Sequence, residues 1–392
     1  MAKETDILRS PIQDRFGWDC GQVKHQQENF IMFQSRFLVR SALIVLVIAA
    51  VVVGKSIVQF NLSRDAFAES PSNRTAGDLM RVASEEFLST LNDDQRSTTV
   101  YKFGAKERTG WHFIPKDSRK GFQFKNMNDK QRAAAKKLLA ACLSHSGFEK
   151  ATTIMKLEGL LNAIEKGRGA IRDPERYYYT VFGQPGKTGK WGLSIEGHHL
   201  SLNFVVEDNK LVSVSPSFFA ANPGTVKTDI YDQVKKGTRV LKDEEELGFK
   251  LVNSLTEDQK KKAIFAAKAP KEIRGAGEAQ PPKAADNGIA VSDLNDDQIM
   301  TLKKLVSCYS SNFPASVEKE KLAAIEESGW KNVKFGWGGA TKPGIGHYYR
   351  IRGTTFLIEF VNTQPDAQGN PANHIHCVWR NPNGDFAIEL KK

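Results

Sequence analysis

The stretch NHIHCVWRN, residues 373–381, sets His374 and His376 two apart beside Cys377, and EGHHLSLNF, residues 196–204, sets His198 next to His199. Only eight histidines occur in the 392 residues, so these two segments carry half of them. In an extended strand, residues two apart share a face and stand about 6.5 to 7 Å apart along the backbone, a spacing at which one metal ion can take both imidazoles. Cys377 then points to the opposite face and reads as packing. The same alternation puts His199, Ser201 and Asn203 on one face and His198, Leu200, Leu202 and Phe204 on the other, with the apolar set toward a core. The candidate metal ligands are His198, His199, His374 and His376. Three imidazoles plus a water form an open site of the catalytic kind, and imidazole donors favour copper or zinc over magnesium or calcium, which prefer oxygen. The competing reading is a set of hydrogen-bonded structural histidines, because an isolated H-x-H pair is a weak signal.

Charged residues near these segments suggest further roles. Glu196 is placed to orient a histidine or to act as a general base. Arg380 and Arg119 are suited to hold an anionic substrate group by bidentate contact, while Lys120 reads first as a surface cation. Asp173 and Glu175 read as turn caps, and Trp111, Trp191 and Trp379 as pocket wall or core. There is no G-x-S-x-G, P-loop, C-x-x-C or dinucleotide fingerprint to support another chemistry.

Positioning such a site falls to a repeated set of elements. LNDDQ at 91–95, MNDKQ at 127–131, LTEDQ at 255–259 and LNDDQ at 294–298 each place Asn or Thr three residues before Gln, the pattern of a capped helix start. The first and third strings lie 164 residues apart and the second and fourth 167, which predicts a tandem pair of units. GHHLSLNF at 197–204 lines up with GTTFLIEF at 353–360, so Thr354 and Thr355 stand where the first copy has its histidine pair. Where the second copy has His374 and His376, the first has Val212 and its neighbours. Packing therefore does not demand histidine at either place. The expected fold class is α+β: two tandem repeats, each of helices followed by an antiparallel sheet, packed face to face about a pseudo-twofold so that His199 and His376 approach within reach of one ion. The expected divisions are a lead-in at 1–75, a first repeat at 76–250 and a second at 251–392, with a flexible Ala-, Pro- and Gly-rich insert at 268–291. One continuous strand is expected over 191–206.

WHFIP, SRKGF, RDPERYYYTVFG, WGLSIEGHHLSLNF, FFAANP and HIHCVWRN together resemble the motif set of an exported bacterial family known as a domain of unknown function, number 3500. The resemblance covers roughly residues 80–390. It implies an extracytoplasmic fold with a histidine-bearing site, and no activity.

Ser41 to Gly54, SALIVLVIAAVVVG, carries no charge and is flanked by Arg36, Arg40 and Lys55. Those residues span about 21 Å as a helix, so a membrane crossing of roughly 30 Å needs the neighbouring apolar residues of 38–60, with the cations snorkelling. The basic upstream flank predicts a body outside the cytoplasm, held at the membrane by a single anchor or secreted after cleavage, with Met32 as an alternative start. The net charge of +11 comes from 56 basic residues scattered among 45 acidic ones, which argues against nucleic-acid binding. Of four cysteines, Cys20 lies in the lead-in, leaving Cys142, Cys308 and Cys377 for at most one disulfide in the body. The leading expectation is an exported, membrane-tethered metal-dependent enzyme, an oxidoreductase or hydrolase acting on a small molecule. The alternative is a non-catalytic binding module for a small anionic or cell-surface ligand.

Overall fold

The computed structural model describes residues 74–168, 171–283, 285 and 287–390. The lead-in expectations, including the apolar stretch, Cys20 and Met32, lie outside these residues. Among the described residues no helix is long and apolar enough to cross a membrane.

The fold is α+β, with eight α-helices and one large mixed sheet among the described residues. The chain first runs through α1 (Ala76–Ser89), α2 (Asp93–Thr99), β1 (Val100–Tyr101), β2 (Phe122–Gln123), α3 (Asp129–Cys142) and α4 (His145–Glu165). Five strands follow: β3 (Tyr178–Phe182), β4 (Lys190–Gly197), β5 (Leu200–Glu207), β6 (Lys210–Ser213) and β7 (Ser217–Ala221). Then come α5 (Lys242–Ser254), α6 (Glu257–Ala263), β8 (Ile264–Ala266), β9 (Ile289–Ala290), α7 (Asp296–Ser310) and α8 (Ala315–Ser328). The chain closes with β10 (Lys334–Gly339), β11 (His347–Arg352), β12 (Leu357–Gln364) and β13 (His374–Arg380).

Four helix starts are built alike. Asn92, Asn128, Thr256 and Asn295 each accept from the backbone of the Gln three residues on, whose side chain accepts from the cap's own backbone N–H. The second Gln of each half also reaches across to the first. Gln131 Nε2 donates to Gln95 Oε1 at 2.8 Å and to Thr90 O at 3.0 Å, while Gln298 Nε2 donates to Gln259 Oε1 at 2.9 Å and to Ser254 O at 2.8 Å. The cap motif thus stops being purely local and ties helix to helix.

The sheet order is β1-β3-β4-β5-β7-β13-β12-β11-β10-β8, with β2, β6 and β9 attached to β3, β5 and β10. Read inward from either edge the succession is the same: a parallel outer pair, then an antiparallel ladder. The two ladders meet where β7 pairs antiparallel with β13, Ala221 to Ile375 through Ser217 to Trp379. The expected face-to-face packing is therefore corrected: the two stretches of chain join edge to edge in one sheet, because each leaves an edge strand whose unpaired N–H and C=O groups the other satisfies.

Alternation sorts the strand residues onto two cores. Leu200, Leu202, Phe204, Ile375, Cys377 and Trp379 face the helices in the larger one. The opposite face is covered by irregular segments, from which Trp111, Phe113, Ala269 and Ile273 pack on Phe218, Tyr348, Val361 and Val378. The insert is thus part of this second layer: Arg274 donates through Nε to buried Glu359 at 3.0 Å.

Candidate metal centre

The strand expected over 191–206 is two strands. Gly197 at the end of β4 pairs with Leu200 at the start of β5, which leaves His198 and His199 as a two-residue turn. His199 has φ 63°, in the left-handed region that costs a non-glycine residue about 1 kcal/mol or more. Its backbone is held there on both sides: the His199 N–H donates to Phe113 O at 2.9 Å, and its carbonyl accepts from Ala220 N at 2.9 Å. Tyr177 lies flat over Gly197, where a Cβ would sit 2.3 Å from its ring, and donates its hydroxyl to His198 O at 2.8 Å. Because the pair forms a turn, the two rings do not take opposite faces; they stack with centroids 3.6 Å apart.

The turn carries His199 to β13. Its Nε2 stands 2.8 Å from Nε2 of His374, and His374 Nε2 stands 3.0 Å from Nε2 of His376. All three ligand atoms lie within 4.8 Å of one another, with His199 and His376 buried and His374 half-buried. His374 and His376 share one face of β13 as expected. Cys377 takes the other, its buried thiol 3.6 Å from the Tyr309 hydroxyl, and Cys142, Cys308 and Cys377 are all free.

Neighbours fix the state of these rings. Both carboxylate oxygens of Glu272 lie 2.8 Å from Nδ1 of His376. A carboxylate only accepts, so Nδ1 carries the proton and a neutral His376 presents a bare lone pair at Nε2. Burial, reinforced by the neighbouring imidazoles and Arg172, holds the His199 pKa well below its ordinary value. The same burial, with His376, His198 and Arg172 nearby, pushes His374 down to about 2. Near neutral pH these two are uncharged and their lone pairs are available.

A metal ion fits this arrangement. Three Nε2 lone pairs facing one another repel unless a proton or a cation sits among them. A tetrahedral ion with bonds of about 2.0 to 2.1 Å would hold its ligand nitrogens about 3.3 Å apart, so the His199–His374 and His374–His376 pairs need to spread by only a few tenths of an ångström. Asn222 supports the same fit: its Nδ2 lies 3.4 Å from His374 Nδ1, and its Oδ1 is buried without a partner. Turning that amide by half a rotation lets Oδ1 accept the Nδ1–H that a metal-bound His374 carries.

His198 stands behind His199 instead of beside it. Its Nδ1 is 2.6 Å from Glu158 Oε1 and 3.1 Å from Arg172 Nη1, and Arg172 is paired with Glu165 at 2.9 Å. Glu158, His198 and His199 also lie within 4.8 Å of one another. The His198 and His199 rings lie stacked in planes 28° apart, however, an arrangement in which two in-plane lone pairs do not readily meet at one ion. Burial lowers the His198 pKa against the pull of Glu158.

The other candidates lie apart from the three nitrogens. Glu196 is bound to Lys120 at 2.8 Å and to Ser201 at 3.4 Å, so it does not orient an imidazole. Arg119 donates to the carbonyls of His112 and Ile114. Arg380, expected to hold an anion, is fully buried and bound to Asp385 at 2.7 Å, Gly275 O at 3.0 Å and Glu278 O at 2.8 Å. It shares the histidine face of β13 but stands about 13 Å along the strand from His376, where it anchors the insert. Trp191 and Trp379 belong to the helix-side core, and Trp111 to the opposite one. Glu272, Glu158 and Asn222 were not singled out from sequence. Glu272 sits in a stretch read as a loop, and no local pattern marks a carboxylate that meets its histidine only in the folded sheet.

The sequence model of one family, described as Protein of unknown function (DUF3500), matches residues 73–388. No curated protein and no solved structure matches the chain.

Proposed function

This chain belongs to the DUF3500 family, and on that premise we propose that it is a metal-binding protein whose centre is formed by Nε2 of His199, His374 and His376. The observation that carries this reading is the meeting of three imidazole nitrogens, two of them on buried rings, at 2.8 and 3.0 Å, supplied by two segments 175 positions apart. Two of the three belong to rings kept neutral by burial. The donor set favours copper or zinc, since no thiolate and no carboxylate joins it. Bound there with a fourth position open, the ion would polarise a substrate or a water, serving oxidation in the case of copper and hydrolysis in the case of zinc. Glu272 orients His376, Asn222 stands at His374, and the Glu158–His198 pair backs His199. We therefore favour a metal-dependent enzyme acting on a small molecule.

The test is metal analysis of the purified full chain after supplementation with copper or zinc. The expected result is one ion per chain, lost in the His374→Ala, His376→Ala double variant. Equal, low metal content in both would make the imidazoles structural and leave the non-catalytic binding module as the reading.

We also infer that the body is a tandem duplication related by a pseudo-twofold. In support, the four capping boxes recur at matching spacing, the sheet order reads alike from both edges, and the β11–β12 turn has Thr354 and Thr355 where the β4–β5 turn has its histidines. For location, the charge pattern around residues 41–54 supports a single membrane anchor with the body extracytoplasmic. A fusion at residue 90 to a reporter active only outside the cytoplasm tests this; activity confined to the cytoplasm overturns it.

A further inference from the structure

Beside His198 a small cleft opens between residues 115–119 and 171–178, floored by His198 and Glu158. Lys116, Arg119 and Arg176 line it. The carboxylates there are engaged: Asp173 holds Lys125 at 2.7 Å and Glu158 holds His198 at 2.6 Å. The cations are met mainly by backbone carbonyls. Among the described residues Lys116, which is exposed, forms no ion pair, and Arg176 uses only Nη2, on the carbonyls of Lys116 and Asp117. Arg119 gives its two Nη atoms to the carbonyls of His112 and Ile114. Its carboxylate partner, Glu196, is 4.0 Å away and already bonded to Lys120 at 2.8 Å. The side chains of Arg119, Lys120 and Glu196 are 4%, 8% and 3% exposed, so two buried cations share one carboxylate. Burying an uncompensated charge is strongly unfavourable, and an anion in the cleft would relieve it.

The walls say more about the ligand. Pro115, Ile171, Tyr177 and Tyr178 give the cleft an apolar side, with Ile171 60% exposed at its mouth. An apolar body and a charged end suit a small organic anion better than a free inorganic one. The cleft reaches the imidazoles through His198, whose ring stacks on His199 with centroids 3.6 Å apart. Phe113, between the two carbonyls that Arg119 holds, gives its own carbonyl to the His199 N–H and sets its ring edge-on to His376, centroids 5.0 Å apart.

We propose that this cleft binds the oxyanion end of a small organic acid or organophosphate, and that this group is the handle of the substrate presented to the metal centre. The binding step stands by itself; its role as substrate handle rests on the metal reading above.

The experiment is calorimetric titration of the full chain, metal-free and metal-loaded, with benzoate and with phenyl phosphate in low-salt buffer. These two probes share a ring and differ in the anion, so the tighter one names the handle. One site per chain is expected, weakened about tenfold by Arg176→Gln and several-fold by Lys116→Ala. Lys116 is exposed and has no ion-pair partner among the described residues, so its variant separates loss of binding from loss of fold. Absence of binding by both probes, or wild-type affinity in both variants, overturns the site. If the probe binds but leaves the visible spectrum of a copper(II)- or cobalt(II)-loaded centre unmoved, the substrate role is overturned. If it binds to a chain that takes up no ion, the metal reading fails and the anion site holds.

Discussion

Glu272 holds His376 at Nδ1 with both carboxylate oxygens at 2.8 Å, from a position 104 residues earlier in the chain. That contact selects the tautomer whose free nitrogen faces His374, and it sharpens ring orientation without touching the proposed ion. Replacing such an outer partner typically lowers metal affinity about 10- to 100-fold. Glu272→Ala is expected to show that loss in competition with a chromophoric chelator. Glu272→Gln, which can still accept from Nδ1, should lose less. Equal affinity in all three proteins would mean that the contact does not serve metal binding.

The metal-free chain should be acid-sensitive. Burial holds His199 and His374 below the ordinary imidazole pKa of about 6.5, His374 at about 2. Between those values the unfolded chain binds protons that the folded chain refuses, so stability falls as pH drops below about 6.5. Each such imidazole contributes a slope of up to about 1.4 kcal/mol per pH unit. Melting of the chelator-treated protein at pH 7.5 and 5.0 should show a clear drop, made smaller by His374→Asn. An unchanged drop in that variant would contradict the assignment.

Gln298 should matter more than an ordinary helix cap. It closes its own capping box and donates to Ser254 O and Gln259 Oε1 while 2% exposed. Gln298→Ala is expected to cost about 2 to 3 kcal/mol, against about 1 kcal/mol for Asn295→Ala. Urea unfolding decides the order, and Gln131→Ala should resemble Gln298→Ala.

Arg380 should prove structural. Its removal leaves Asp385, itself fully buried, without its cation, a loss of about 3 to 5 kcal/mol. Arg380→Ala should therefore unfold at markedly lower urea while its folded fraction still binds one ion per chain. A variant of normal stability that fails to hold a ligand would restore the anion-binding role.

Local signals carried the regular elements well. Each N-x-x-Q or T-x-x-Q string marks a helix start with its full capping box, and the alternation in LSLNF sorts Leu200, Leu202 and Phe204 to the core. The break at His198 and His199 was not legible, because the residues favour no turn and the left-handed backbone of His199 is held by Phe113 and Ala220 from elsewhere. The edge-to-edge junction was equally hidden: β7 and β13 have no sequence mark that says which edge each will pair. Arg380 misled because a buried arginine on two carbonyls and an aspartate looks, in sequence, like any arginine at the end of a strand. Glu272 escaped for the opposite reason, since its environment is made entirely by residues remote in the chain.

Strand β13 is hydrogen-bonded along both edges, to β12 on one side and β7 on the other. An ion gripping it and the β4–β5 turn would close a ring of chain between His199 and His374, 175 positions apart, with the topology of a disulfide. For loops of that order the chain-entropy gain is about 5 kcal/mol. Release of the ion would break only its bonds to nitrogen and leave β13 paired on both sides, so the ring could open while the chain stays folded. The ring would matter most on unfolding, where an ion still held would restrain the loosened chain as a disulfide does.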